Sequence, residues 1–132
     1  MDIIEIEREF VRFIAEKTNL IVDKNIFRGG IPHGVPEGVG VIFGAEIKLN
    51  TFYGFRPQAW NVQIIGKYAE RDVIISLQNI LNQIVPCYDI VRENINFASI
   101  EANGNSEPYI TSDDGKEKYC VSFNCILTVI AI

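Results

Sequence analysis

Ile3, Ile6, Phe10, Phe13 and Ile14 recur at steps of three and four, while Glu5, Glu7, Arg8, Glu9, Arg12 and Glu16 fill much of the opposite face. That period predicts one amphipathic helix, with Asp2 as its N-cap and a stop near Thr18-Asn19. Glu5 with Arg8, and Glu9 with Arg12, can pair across one turn, each pair contributing about a few tenths of a kcal/mol. A second helical period covers residues 70–85. Val73, Ile74, Leu77, Ile80, Leu81 and Ile84 form a wide apolar stripe, Asp72, Ser76, Gln78, Asn79, Asn82 and Gln83 take the remainder, and Pro86 ends it.

Elsewhere the period is two or absent. From Val22 to Gly38 the chain carries Gly29, Gly30, Pro32, Gly34, Pro36 and Gly38, a density of turn formers that predicts an extended loop with room for a short strand around Ile26-Phe27. Val39 to Phe43 is an apolar strand. Residues 44–57 follow as a loop, with a short extended piece allowed at Ile47–Leu49. In the next strand Trp60, Val62, Ile64, Gly66 and Tyr68 share one side, and Asn61, Gln63 and Lys67 point the other way; Ile65 breaks the alternation. It pairs most easily antiparallel with Val39–Phe43.

Beyond the second helix, Ile90 to Ile100 suggests one or two short strands. Asn103-Gly104 and Asp114-Gly115 both read as hairpin turns, because Asn, Asp and Gly tolerate positive φ. The last strand alternates Tyr119, Val121, Phe123, Cys125, Leu127 and Val129. Both of its faces become apolar toward the end, so it belongs inside a sheet or under a partner. The order helix, strands, helix, strands predicts an α+β fold of two layers: a mostly antiparallel mixed sheet with two amphipathic helices packed on one face. Asn61, Gln63, Lys67, Ser122 and Asn124 would then line the other face.

Composition narrows the function classes. A chain of 132 residues predicts a single domain over 1–132, large enough to build its own core. Twelve basic residues oppose 17 acidic ones, a net charge of −5, and the basic residues are scattered. Gripping nucleic acid through its phosphates needs clustered Lys and Arg, so tight DNA or RNA binding is not expected. Cys87, Cys120 and Cys125 are odd in number and lack metal-ligand spacing; they read as small buried hydrophobes in a reducing compartment. The amino terminus lacks the pattern of a signal peptide, and no apolar run approaches the ~20 residues of a membrane-spanning helix. Synthesis as a soluble protein in a cytoplasm is the expectation.

Catalytic signals are weak. His33 is the single histidine, inside the Gly-Pro loop, with no serine or cysteine close in sequence. Gly29, Gly30, Gly34, Gly38 and Gly40 do not end in Gly-Lys-Ser/Thr, and a strand follows them where a phosphate loop needs a helix N-terminus. Glu107, Asp113, Asp114 and Glu117 flank a Gly turn, where solvated charge is ordinary and guards a sheet edge. No catalytic residue, metal ligand or cofactor is assigned. The segment Phe52-Tyr53-Gly54-Phe55-Arg56-Pro57 is more informative. Its aromatics either complete the core or stay exposed. In the second case Phe52, Tyr53, Phe55 and Arg56 are of the types that anchor protein interfaces.

Tyr53-Gly54-Phe55-Arg56-Pro57, then Val62-Gln63-Ile64-Ile65-Gly66-Lys67 and Tyr68-Ala69-Glu70, then the 77–85 helix, resemble the tail terminator proteins of long-tailed bacteriophages, a group that includes proteins labelled phage minor capsid proteins. The likeness covers most of the chain. It implies a structural virion protein without enzymatic activity, made in the host cytoplasm and residing in the tail or neck of the particle. Such proteins form a hexameric ring that docks on the finished tail tube, stops addition of the major tail tube protein, and presents a surface to the head-completion protein. DNA passes the channel without specific binding, and no membrane is involved. A head-completion or stopper protein at the portal is the alternative within phage assembly. A small enzyme using His33 is the alternative outside it.

Overall fold

In a computed structural model, residues 2–49, 57–113 and 115–131 are described. Two helices and seven strands follow in the order α1 (Ile3–Thr18), β1 (Ile26–Arg28), β2 (Gly38–Ile47), β3 (Gln58–Tyr68), α2 (Arg71–Ile84), β4 (Cys87–Arg92), β5 (Ile95–Asn105), β6 (Tyr109–Asp113) and β7 (Lys116–Ala131). The strands make one sheet, β1-β2-β3-β7-β5-β4, with β6 also paired to β7. Among the described strands only the β1–β2 pair is parallel. This is the expected α+β architecture with its mostly antiparallel mixed sheet.

α1 starts and stops where its sequence says. Asp2 accepts a hydrogen bond from the Ile4 amide at 3.0 Å, and Asn19 closes the helix in the left-handed region at φ 57°. The apolar face differs slightly from the pattern: Ile3 is 37% exposed, and Val11 is buried instead. Glu9 lies at the edge of the covered face, not in solvent. It is only 4% exposed and accepts from Arg12 at 2.7 Å, as its spacing predicts. Glu5 and Arg8 form no ion pair; Glu7 instead lies 3.8 Å from Arg28.

Both helices share one core with the sheet. Phe10 packs edge-on against Phe43 and Phe97, each with ring centroids 5.8 Å apart. Ile74, Leu77 and Leu81 of α2 meet the residues of β3 and β7 that point the same way. Gly66 makes room for this contact: a Cβ would come within 2.5 Å of Leu77 Cδ2 and 3.3 Å of Ile74 Cδ1, so Leu77 would have to shift. β7 is interior, paired with β3 along one edge and with β5 and β6 along the other, as its two apolar faces predict.

Asn103-Gly104 departs from expectation. It is not a hairpin turn but part of β5, at an irregularity between Ala102 and Asn105. Ile95 faces Ala131, Ser99 faces Thr128, Asn105 faces Phe123 and Tyr109 faces Cys120. At each step the β5–β6 side has gained one residue on β7, the signature of successive bulges. β5 and β6 therefore run end to end as one long arm of a hairpin with β7. Its turn is the second predicted one: Asp113 is paired with Lys116, and Gly115 has φ +76°. Asn-Gly gives positive φ in a bulge as readily as in a turn, and Gly104 adopts +89°. The turn between β4 and β5 instead uses Glu93, at φ 49°.

Candidate assembly surface

The predicted interface residues Phe52, Tyr53, Phe55 and Arg56 lie outside the described residues. The segment that holds them joins the end of β2 to the start of β3, following Leu49, which is 39% exposed.

Three surface features accompany it. The first is a consequence of α2's broad stripe. Ile74, Leu77 and Leu81 satisfy the sheet, leaving Val73 39% exposed and Ile80 half-buried. Together with Leu20 and Tyr68 they line an apolar groove of about 300 Å³ between the end of α1 and the start of α2. Tyr68 has its phenol pKa raised, by burial first and then by the nearby Glu37 carboxylate. The second is the free edges of β4 and β6, which like β1 at the other end of the sheet have one strand neighbour each among the described residues. β4 presents Tyr88 and Val91, 55% and 62% exposed, and β6 presents Tyr109 and Ile110, 45% and 57% exposed. Strands of this kind are templates for pairing with another chain.

The third feature is the sheet face away from the helices, where the predicted polar residues gather. Gln63 donates to Ser122 at 2.8 Å, and Asn103 donates to Asn61 at 3.0 Å. The Ser122 amide donates to Ser106 Oγ at 2.8 Å, and the Asn124 amide to Asn105 Oδ1 at 3.3 Å. The bulges in β5 thus carry side chains back to β7 where the backbone ladder is interrupted.

Groups with chemical potential are dispersed. Cys125 is buried, with its thiol pKa pushed up to about 12 by desolvation, and Cys87 is also raised, chiefly by burial; neither is poised as a nucleophile. Cys120 and Cys125 point to opposite faces of β7, as their spacing predicts. Among the described residues no three His, Cys, Asp or Glu side chains are grouped to hold a metal ion. No described helix is long and apolar enough to cross a membrane. A network that sequence reasoning missed ties the sheet edge to α1: Arg92 forks onto Glu16 at 2.6 and 2.8 Å and reaches Glu9 at 3.4 Å. Glu16 is held below its ordinary pKa, first by the Arg92 hydrogen bond.

His33 is exposed in the 31–36 loop and lines a cavity together with Lys67, Lys116 and Lys118. Sequence reasoning saw only scattered lysines. The available signal was parity, since Lys116 and Lys118 share a side of β7, but the register joining them to Lys67 and the loop is tertiary. No protein-family model matches the chain, and no curated protein matches it.

Proposed function

We propose that this chain is a structural assembly protein of a long-tailed phage, a tail terminator whose ring caps the tail tube, halts tube growth and meets the head connector. Beyond the sequence resemblance, the observation that supports this reading most is the coexistence of the free β4 and β6 edges with exposed Tyr88, Val91, Tyr109 and Ile110. A head-to-tail contact between copies covers unlike patches on the two partners, and closes into a ring when its rotation is a simple fraction of a turn. The apolar groove by Val73 supplies a further patch of unlike shape for such a contact. Its site of action is then the tail or neck of the virion, after assembly in the host cytoplasm.

Negative-stain microscopy of the purified protein, alone and with tail tubes, tests the reading. Rings or capped tube ends are expected. Particles that remain monomeric and leave the tubes bare overturn it, and binding to portal rings in place of tubes transfers the chain to the stopper class. Phe55→Ala and Arg56→Glu are expected to leave folding intact within about 0.5 kcal/mol and to weaken assembly; unfolding of either variant assigns the segment to the core.

A further inference from the structure

We propose that Asn103 is a site of self-modification, where the backbone nitrogen of Gly104 converts the side-chain amide to a carboxylate by way of a cyclic imide. Asparagine is among the thermolabile residues of proteins. Asn103 alone among the asparagines of the sequence is followed by glycine; the others precede larger residues. Glycine has no Cβ, so its nitrogen approaches the preceding side chain with little steric resistance.

The fold leaves this pair open. Both residues are exposed, and a Cβ built on Gly104 would meet nothing within 4 Å, so water reaches the site. Ala102 faces Cys125 and Asn105 faces Phe123, so Asn103 and Gly104 form the bulge between them and lie outside the regular register. The side-chain amide is tied only to another exposed amide, donating to Asn61 Oδ1 at 3.0 Å. Two residues on, the same chemistry is blocked. Asn105 precedes Ser106, whose amide donates to Ser122 O at 2.8 Å, and the Asn105 Oδ1 accepts from the Asn124 amide at 3.3 Å. The nitrogen that would attack and the group it would attack are both committed there.

The reaction needs only water. Gly104 N gives its proton to solvent and attacks Asn103 Cγ, and the new C–N bond closes a succinimide ring. The bond from Cγ to Nδ2 then breaks, and the amide nitrogen leaves as ammonia with a proton taken from solvent. Water opens the ring. Opening at Cγ leaves an aspartate at position 103; opening at the backbone carbonyl leaves an isoaspartyl link, which routes the main chain through Cβ and Cγ. Overall one water is consumed and one ammonia released, with no change of oxidation state. Either product adds a negative charge to the sheet face that holds Asn61, Gln63 and Asn124. The Asn61 amide, turned over, presents Nδ2 to the new carboxylate and restores the lost hydrogen bond with reversed polarity.

The test is incubation of the whole folded chain in mildly alkaline buffer, beside the same chain unfolded in urea, until half of position 103 in the unfolded sample has converted. Ion exchange reads the charge, and fragmentation of the tryptic peptide 93–116 places it. The folded chain is expected to gain one mass unit and one negative charge at position 103, ahead of every other asparagine, with Asn105 unchanged. Asn103→Gln keeps an amide and the following glycine at an exposed position but requires a larger ring; it is expected to lose the acidic species. A folded chain that stays unmodified while the unfolded one converts overturns the proposal. Conversion that begins at another asparagine overturns it too, as does an acidic species that persists in Asn103→Gln. None of these outcomes depends on ring formation by the protein.

Discussion

β7 has two faces that do different work. Toward the helices it presents Val121, Phe123, Cys125, Leu127 and Val129, all fully buried. Away from them it presents Lys116, Lys118, Ser122 and Asn124, joined by side-chain bonds to β3 and to the bulged β5 or turned into the 31–36 cavity. One strand thus supplies the centre of the core and the floor of a polar surface, with a period of two separating the roles. The lesson is that this sheet fills one face with apolar side chains and gathers hydrogen-bonding and charged ones on the other.

The largest effect that tests this division is the contrast between neighbours. Phe123→Ala removes a fully buried ring of the core and should cost about 3–5 kcal/mol, whereas Asn124→Ala, at a half-buried position, should cost under about 0.5 kcal/mol. Urea unfolding of the two variants measures both. Similar losses would mean that the outer face is also part of the folding core. Next comes the rim of the covered face. Arg92→Met leaves Glu9, 4% exposed, with Arg12 as its remaining partner, and should cost about 1.5–3 kcal/mol. Glu9→Gln in the same background should recover part of that loss, because the uncompensated charge is gone. Gly66→Ala probes the covered face from the backbone side: its Cβ meets Leu77 Cδ2 at 2.5 Å, an overpacking worth about 1–3 kcal/mol by thermal unfolding.

Much of this architecture is legible in sequence, for local reasons. The 3.6-residue period of α1, its Asp2 cap, the alternation in β3 and the apolar closing strand are each fixed by neighbours within a few positions. What was misread depended on distance. Glu9 shares the spacing of solvated carboxylates, and sequence spacing reveals its neighbour Arg12 but not its second partner Arg92, 83 residues later. Asn103-Gly104 has the chemistry of a turn, but pairing with β7 on both sides of it makes a bulge the better solution. The lysine cavity is the extreme case, since residues from a loop, β3 and β7 acquire meaning only through the sheet register. Candidate interface residues Phe52, Tyr53, Phe55 and Arg56 were chosen on residue type alone, and they fall outside the described residues.

The smallest predicted effect concerns pH and separates the rim from the buried core. Glu16 is bonded twice by Arg92, and its pKa is lowered from the ordinary 4.5. A carboxylate with a depressed folded-state pKa contributes its full stabilisation above the unfolded value, where it is charged in both states. As the pH falls through 4.5 toward the lower folded value, the unfolded chain takes up the proton first and the contribution is lost. The Glu16 side chain is 58% exposed, so water and salt screen the pair and its contribution stays below about 1 kcal/mol. Wild type should therefore exceed Glu16→Gln in urea midpoint at pH 7, with the gap closing as the pH drops below 4.5 and shrinking in about 0.5 M salt. A gap that widens on acidification would mean that the carboxylate strains the rim, and that Arg92 is held in place by Glu9 alone.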